Sequence, residues 1–258
     1  RMSRVKLVAS LVVRKELDRY LPEALRLLAG FCDRIVVLDD NSTDGTAEAL
    51  RQLRAEGLPL TVVSAFETTF YVHEGEIRQR AIDLALQEDP THVLVIDGDE
   101  LVGNGAAVRH ALERSPAVPA FSLCMEEVWK ATLDGIEVRE DGGWRAHPVT
   151  VCYRVDAYRG GKIRDQKLGG GRVPEQVGRE RRALQTDGRI LHMGWTRVAE
   201  REARHARYVQ HDGGAFHASQ HLDSIMWPDS RVRLNRCEWP QDFTSGIVGR
   251  VVSKANRG

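Results

Sequence analysis

The sequence predicts an α/β protein with a mostly parallel sheet flanked by helices, followed by a mixed-sheet extension. Three observations carry this expectation. Short apolar runs alternate with segments of helical period up to about residue 100, the pattern of right-handed βαβ units. Two of the apolar runs end in clusters of acidic residues, where a parallel sheet presents its carboxyl edge and ligands usually bind. Beyond residue 100 the texture changes and a hairpin signal takes over.

Taken in order, residues 5–13 form a nearly continuous apolar run, suited to a strand covered on both faces. Leu17, Leu21, Ala24, Leu25 and Leu28 recur at helical spacing, and Gly30 provides a stop. Ile35-Val36-Val37-Leu38 is a second buried strand. A helix is expected over 46–56, with Ala49, Leu50 and Leu53 inward and Gly57 and Pro59 ending it. Residues 60–65 give a third strand. Ile77, Ala81, Leu84 and Ala85 mark another helix face, and 92–96 reads as a fourth strand. Strands are then expected at 119–125 and 149–155, with Asp134-Gly135 closing a hairpin between 127–133 and 136–140. Residues 160–178 are glycine-rich and basic, a loop that could close over a ligand as a lid. A strand at 189–193 and a charged helix at 198–210 follow, and the tail has no clear period.

Composition narrows the classes. The 258 residues suffice for one large core. Hydrophobic residues make up 42% and charged residues 29%, and Lys+Arg balance Asp+Glu at 37 each. No global field therefore argues for a nucleic-acid partner. The four cysteines form no Cys-x-x-Cys pair, so buried thiols are expected rather than zinc ligands or a disulfide framework. No transmembrane segment is expected, since no stretch approaches 18 apolar residues. The expected location is cytoplasmic.

The chemistry concentrates at two acidic junctions. Asp97-Gly98-Asp99-Glu100 sits directly behind Val93-Leu94-Val95-Ile96. In an extended segment Asp97 and Asp99 point the same way, and Gly98 leaves room for close approach to the backbone. Two hard oxygen donors on one side suit Mg²⁺ or Mn²⁺ together with phosphate, although an isolated Asp-x-Asp is more often a solvated turn. The second junction is Leu38-Asp39-Asp40-Asn41-Ser42-Thr43-Asp44-Gly45-Thr46. Ser42 to Asp44 suit helix capping. Capping leaves Asp39 and Asp40 over, and their carboxylates could bind a base N–H or ribose hydroxyls.

These segments resemble a known family. Val13-Arg14-Lys15-Glu16, the run from Val37 to Thr46, Ile77-Arg78-Gln79 and Asp97-Gly98-Asp99 occur in the order and rough spacing of family-2 glycosyltransferases with the GT-A fold. The resemblance covers about residues 5–105. Three positions depart from the family pattern: Lys15 stands for its usual Asn, Asn41 for Gly and Gln79 for Asn. The resemblance implies that residues 2–105 form a nucleotide-sugar-binding half. Residues 106–258 would form an acceptor-side half with a helical tail, within one continuous domain. It further implies that Val13, Glu16, Asp39, Asp40, Arg78, Asp97 and Gly98 surround a nucleotide-sugar, with UDP expected. Asp97 and Asp99 would belong to the metal site, Asp99 being the better choice for the Mn²⁺ or Mg²⁺ and Asp97 facing the ribose or sugar side.

Two roles remain for the second half. Several enzymes of this fold complete the metal site with a late His, and His192 in Ile190-Leu191-His192-Met193-Gly194-Trp195 is the candidate. Inverting transfer to a hydroxyl needs a carboxylate base. Val173-Pro174-Glu175-Gln176-Val177 resembles the segment around a His-Glu pair in related enzymes, with Pro174 in place of the His, so Glu175 is the first choice. Glu127 is the second and Asp165 a weaker third. The acceptor could be a glycan, a protein or a small molecule. His211, His217 and His221 with Asp223 have partial zinc spacing, but no Glu follows His217 and Gly213-Gly214 weakens a helix there. The five tryptophans all lie in the second half, where core packing is expected over stacking on sugar. The alternatives are a non-catalytic nucleotide- or carbohydrate-binding module on this fold and a sugar-phosphate nucleotidyltransferase. The latter would carry a Gly-rich loop after the first strand, which Val13-Arg14-Lys15-Glu16 lacks.

Overall fold

The structure is a computed structural model that describes residues 4–70, 72–164, 171–212 and 219–257. Its elements in chain order are β1 (Leu7–Val13), α1 (Leu21–Ala29), β2 (Arg34–Asp39), α2 (Thr46–Ala55), β3 (Leu60–Ser64), α3 (Glu74–Leu86), β4 (His92–Val95), β5 (Glu100–Gly103), α4 (Gly105–Arg114) and β6 (Ala120–Thr132). There follow β7 (Gly135–Arg139), β8 (His147–Arg154), α5 (Glu175–Gly178), β9 (Leu184–His192), α6 (Val198–Asp212), α7 (Ser219–Ser224), β10 (Leu234–Cys237) and α8 (Ser245–Ala255).

The strands join in the order β10-β7-β6-β8-β4-β1-β2-β3. Within it β3, β2, β1 and β4 are mutually parallel, while β8, β6, β7 and β10 pair antiparallel. β9 runs parallel to β6 and antiparallel to β5. The mixed α/β class with a parallel sheet flanked by helices is therefore present, and it is consistent with the GT-A fold that the motifs imply.

β1 accounts for the layering. All seven of its residues are buried, and alternate side chains enter opposite layers. Leu7, Ala9, Leu11 and Val13 pack with Leu21, Leu25 and Leu28 of α1 and with Leu50 and Leu53 of α2. Val12 meets Ile77 and Ala81 of α3, and Val8 meets Ala85. Each fully buried Leu stabilises the fold by about 1.5–3 kcal/mol. This two-sided cover explains why the first-half strands read as unbroken apolar runs.

Some elements differ from expectation. The first helix begins at Leu21, with Pro22 in its first turn. A proline interrupts a helix interior but suits its start, so Leu17 falls in the preceding turn and is 37% exposed. Asp134-Gly135 does close the β6–β7 hairpin. A Cβ on Gly135 would lie 2.6 Å from the Cys237 carbonyl oxygen, so the missing side chain also lets β10 approach β7. The sequence pattern does not predict β5, α4, α5 or β10, and the expected helical tail had no bounds where α7 and α8 lie. Among the described residues no helix is long and apolar enough to cross a membrane.

Candidate active site

Parallel register brings the two acidic junctions together. Val13 lies opposite Asp39 and Ser10 opposite Val95, so the segments that leave β1, β2 and β4 emerge along one edge. The turn after β1 is laced to the turn after β2. The backbone N–H of Lys15 donates to Ser42 Oγ (2.9 Å), that of Glu16 to Thr46 Oγ1 (2.8 Å) and that of Leu17 to Asp44 Oδ2 (3.2 Å). The N-cap of α2 is Gly45, without a side-chain cap, so Ser42 serves this lacing where capping was expected. Asn41 and Lys15 both adopt φ 55°. Asn tolerates this left-handed region well, and at 41 it fills the conformational role of the family's Gly. Lys15 holds the same region without that tolerance.

Above this edge lies a cavity of about 550 Å³. Its walls come from residues 12–16 and Arg19 after β1, from Phe70, Glu74 and Arg78 at α3, and from Asp97, Gly98 and Asp99 after β4. Arg172, His192 and one face of α6 (Glu200, Ala203, Arg204, Arg207 and Tyr208) complete it.

The cavity is an array of paired charges. Arg78 grips Asp97 with two hydrogen bonds (2.7 and 3.2 Å) and donates to Glu74 at 2.9 Å. Arg172 lies 3.7 Å from Asp97 and donates to both carboxylate oxygens of Glu100 (2.7 and 2.8 Å). Burial would raise the Asp97 pKa, but the Arg78 and Arg172 guanidiniums outweigh it and hold it at about 2. Asp99 Oδ2 accepts from Arg19 (2.9 Å) and Arg204 (2.7 Å) and lies 3.6 Å from His192 Nε2. Burial opposes ionisation here too, yet His192, Arg19 and Arg204 keep the Asp99 carboxyl well below its ordinary range. Glu16 differs. Burial dominates and lifts its pKa to about 7 despite Arg19. Its Oε2 is buried without a hydrogen-bond partner, while Oε1 accepts from Arg19 at 2.6 Å.

His192 ends β9, and the sheet sets it beside Glu127 of β6 and Glu100 of β5. Its Nδ1 lies 2.6 Å from Glu127 Oε2, which also accepts from Trp195 Nε1 at 2.6 Å. Burial pulls the imidazole pKa down, but Glu127 and Asp99 push it well above its ordinary value. A divalent cation fits this donor set once it displaces the imidazole proton. Asp99 offers a hard oxygen, and Glu127 holds one ring nitrogen so that the other faces Asp99, as a carboxylate behind a ligating His usually does. Among the described residues no cluster of three or more His, Cys, Asp or Glu converges. Two protein ligands leave the remaining positions to water and phosphate oxygens, which suits Mg²⁺ and Mn²⁺.

Of the residues expected from sequence, Val13, Glu16, Arg78, Asp97, Gly98, Asp99 and His192 line the cavity. Four others do not. Asp40 is fully buried and spends its oxygens on the backbone N–H groups of Thr69 (2.8 Å) and Phe70 (3.1 Å), which shapes the turn before α3. Asp39 is buried, and its Oδ1 accepts from the Ser42 N–H at 3.3 Å. Glu127 stands behind His192. Glu175 opens α5, pairs with Arg179 and is half-exposed, outside the cavity. A Cβ at Gly98 would lie 3.3 Å from Glu16 Cγ and 3.4 Å from Val13 Cγ1. The missing side chain therefore lets the turns after β1 and β4 pack closely. Of the expected metal trio, Asp97 faces Arg78 and Arg172, while Asp99 and His192 face each other.

Asp165, His217 and residues 165–170 of the expected lid lie outside the described residues. His221 stacks on Trp144 at 4.6 Å within a cluster that holds Trp129 and Trp195, as core packing predicts. Sequence reasoning missed Arg19, Arg172 and Arg204. Arg204 carried the only accessible signal, since Glu200, Arg204 and Tyr208 share a helix face by spacing.

No family model matches the chain, and no curated protein matches it either. Among solved structures it is similar to residues 1–349 of S. aureus TarS in complex with UDP, at 23% identity and TM-score 0.39 over 50% of this chain and 36% of that one. It is similar to the mannosyltransferase PcManGT from Pyrobaculum calidifontis in complex with GDP-Man and Mn²⁺, at 20% identity and TM-score 0.47 over 87% and 68%. A third likeness is to a 4-diphosphocytidyl-2C-methyl-D-erythritol synthase, at 15% identity and TM-score 0.39 over 59% and 76%. The chain thus spans about a third of the TarS fragment's length and about two thirds of the mannosyltransferase's.

Proposed function

We propose that the chain is a metal-dependent inverting glycosyltransferase that moves a sugar from a UDP-linked donor to a hydroxyl acceptor. One observation carries this reading. Motif residues separated along the sequence, Glu16, Arg78, Asp97, Asp99 and His192, line one cavity at the carboxyl edge of a parallel sheet.

The roles follow from the groups available. Glu16 presents a buried, unpartnered oxygen and a carboxyl that titrates near neutrality, suited to a nucleoside N–H or hydroxyl. Departure of a nucleoside diphosphate develops negative charge that must be stabilised. Arg78, Arg172, Arg19 and Arg204 line the cavity and can deliver charge-assisted hydrogen bonds to phosphate oxygens. Asp99 and His192 would hold the divalent cation, which when bound acts as a Lewis acid on the diphosphate. Glu127 positions His192.

Calorimetric titration with UDP in the presence of Mn²⁺ tests the reading, with release of free UDP from UDP-sugars as the second readout. Saturable UDP binding and turnover are expected; no binding of UDP, GDP or CDP would overturn the proposal. Binding without any sugar release would instead favour the non-catalytic module. Glu175→Gln is expected to leave the rate of UDP release within about threefold of wild type, as surface changes away from a site usually do little. A loss of about a hundredfold in that assay would return Glu175 to the base.

A further inference from the structure

We infer that Arg204 is an internal stand-in for the divalent cation, and that it moves from Asp99 to the diphosphate when nucleotide and cation enter together. This rests on the glycosyltransferase reading and deepens it. Arg204 sits on the face of α6 turned to the cavity and is only 13% exposed. Its Nη2 is 2.7 Å from Asp99 Oδ2 and its Nη1 3.3 Å from His192 Nε2. Those are the two atoms that would ligate the cation. The guanidinium also lies 4.6 Å over the Trp195 ring, which supports it from behind.

The backbone beside this contact is fitted to it. A Cβ at Gly194 would lie close against Arg204 Nη2 and 2.7 Å from Asp99 Oδ2. A side chain there would press on both partners, so the glycine leaves the room in which Arg204 closes on Asp99.

A guanidinium and a divalent cation repel each other and cannot share these two atoms. In the nucleotide-free protein the ion must displace Arg204. A diphosphate offers the guanidinium better acceptors than a carboxylate already occupied by the ion. Cation and nucleotide therefore favour each other's binding, and by linkage the factor is the same in both directions.

The test is Mn²⁺ binding to nucleotide-free protein, read from the electron paramagnetic resonance of free Mn²⁺, for wild type, Arg204→Gln and Gly194→Ala. Both variants are expected to bind Mn²⁺ about tenfold tighter than wild type without UDP, within the usual range of coupling between sites. With Mn²⁺ saturating, Arg204→Gln is expected to bind UDP about tenfold more weakly, whereas Gly194→Ala keeps the guanidinium and its UDP affinity. Circular dichroism checks that each variant is folded. Unchanged or weaker Mn²⁺ binding in both variants, while wild type still binds UDP with Mn²⁺, overturns the inference and leaves the glycosyltransferase reading standing. Failure of wild type to bind UDP under any condition removes both.

Discussion

Asp99→Ala is expected to lower kcat/KM for sugar transfer by about a thousandfold, a loss of about 4 kcal/mol of transition-state stabilisation. Three positive groups converge on this one carboxylate: Arg19, Arg204 and His192. Without it the cation loses the hard oxygen donor that the cavity wall offers, and the two guanidiniums lose the charge that holds them there. Asp99→Asn keeps the shape and removes the charge, so it separates the two losses. It should retain the fold and still lose most of the rate. Initial rates with a UDP-sugar at saturating Mn²⁺ measure the effect. A loss of less than about tenfold in Asp99→Ala would mean that the transition-state charge is handled elsewhere.

Arg78→Ala is expected to destabilise the fold by about 3–5 kcal/mol, the usual cost of breaking a buried ion pair from one side. The Arg78 side chain is 8% exposed and neutralises Glu74 and Asp97 together. Removing it takes away the bidentate partner of Asp97 and one partner of Glu74. Urea denaturation reads the loss as a lower midpoint with unchanged slope. Adding Asp97→Asn to Arg78→Ala should recover part of it, because one carboxylate charge is then gone. A shift below about 1 kcal/mol would show that water reaches these carboxylates freely, as it does at surface pairs.

The sequence is most legible where one rule governs a whole segment. β1 and β2 are covered on both faces, and continuous burial leaves a continuous apolar run. β5 is four residues long and follows the acidic turn directly, so nothing in it alternates. In α4 only Gly105, Val108 and Leu112 are buried, too narrow a stripe to stand out. The α8 helix carried clearer marks, with Thr244 as a cap bonded to the Ile247 N–H and a buried stripe of Val248, Val251 and Ala255. Within the site, acids behind apolar strands were readable because the strand ends locate them. Arg19 was not, and Arg204 offered no more than its helical spacing. Arg204 lies 105 residues from Asp99, and a helical arginine reads the same whether it faces water or a carboxylate.

The pairing of β9 with β6 has a consequence for the order in which the protein is made. Glu127 and His192 are 65 residues apart, and their contact exists only once β9 has taken its place. A nascent chain ending before β9 already contains every first-half motif, from Glu16 to Asp99, with the βαβ units that carry them. Such local units form early, whereas contacts across long separations wait for the chain. The Glu16 to Asp99 side of the cavity thus precedes the His192 side during synthesis, and Asp99 has Arg19 as its partner before His192 and Arg204 emerge from the ribosome.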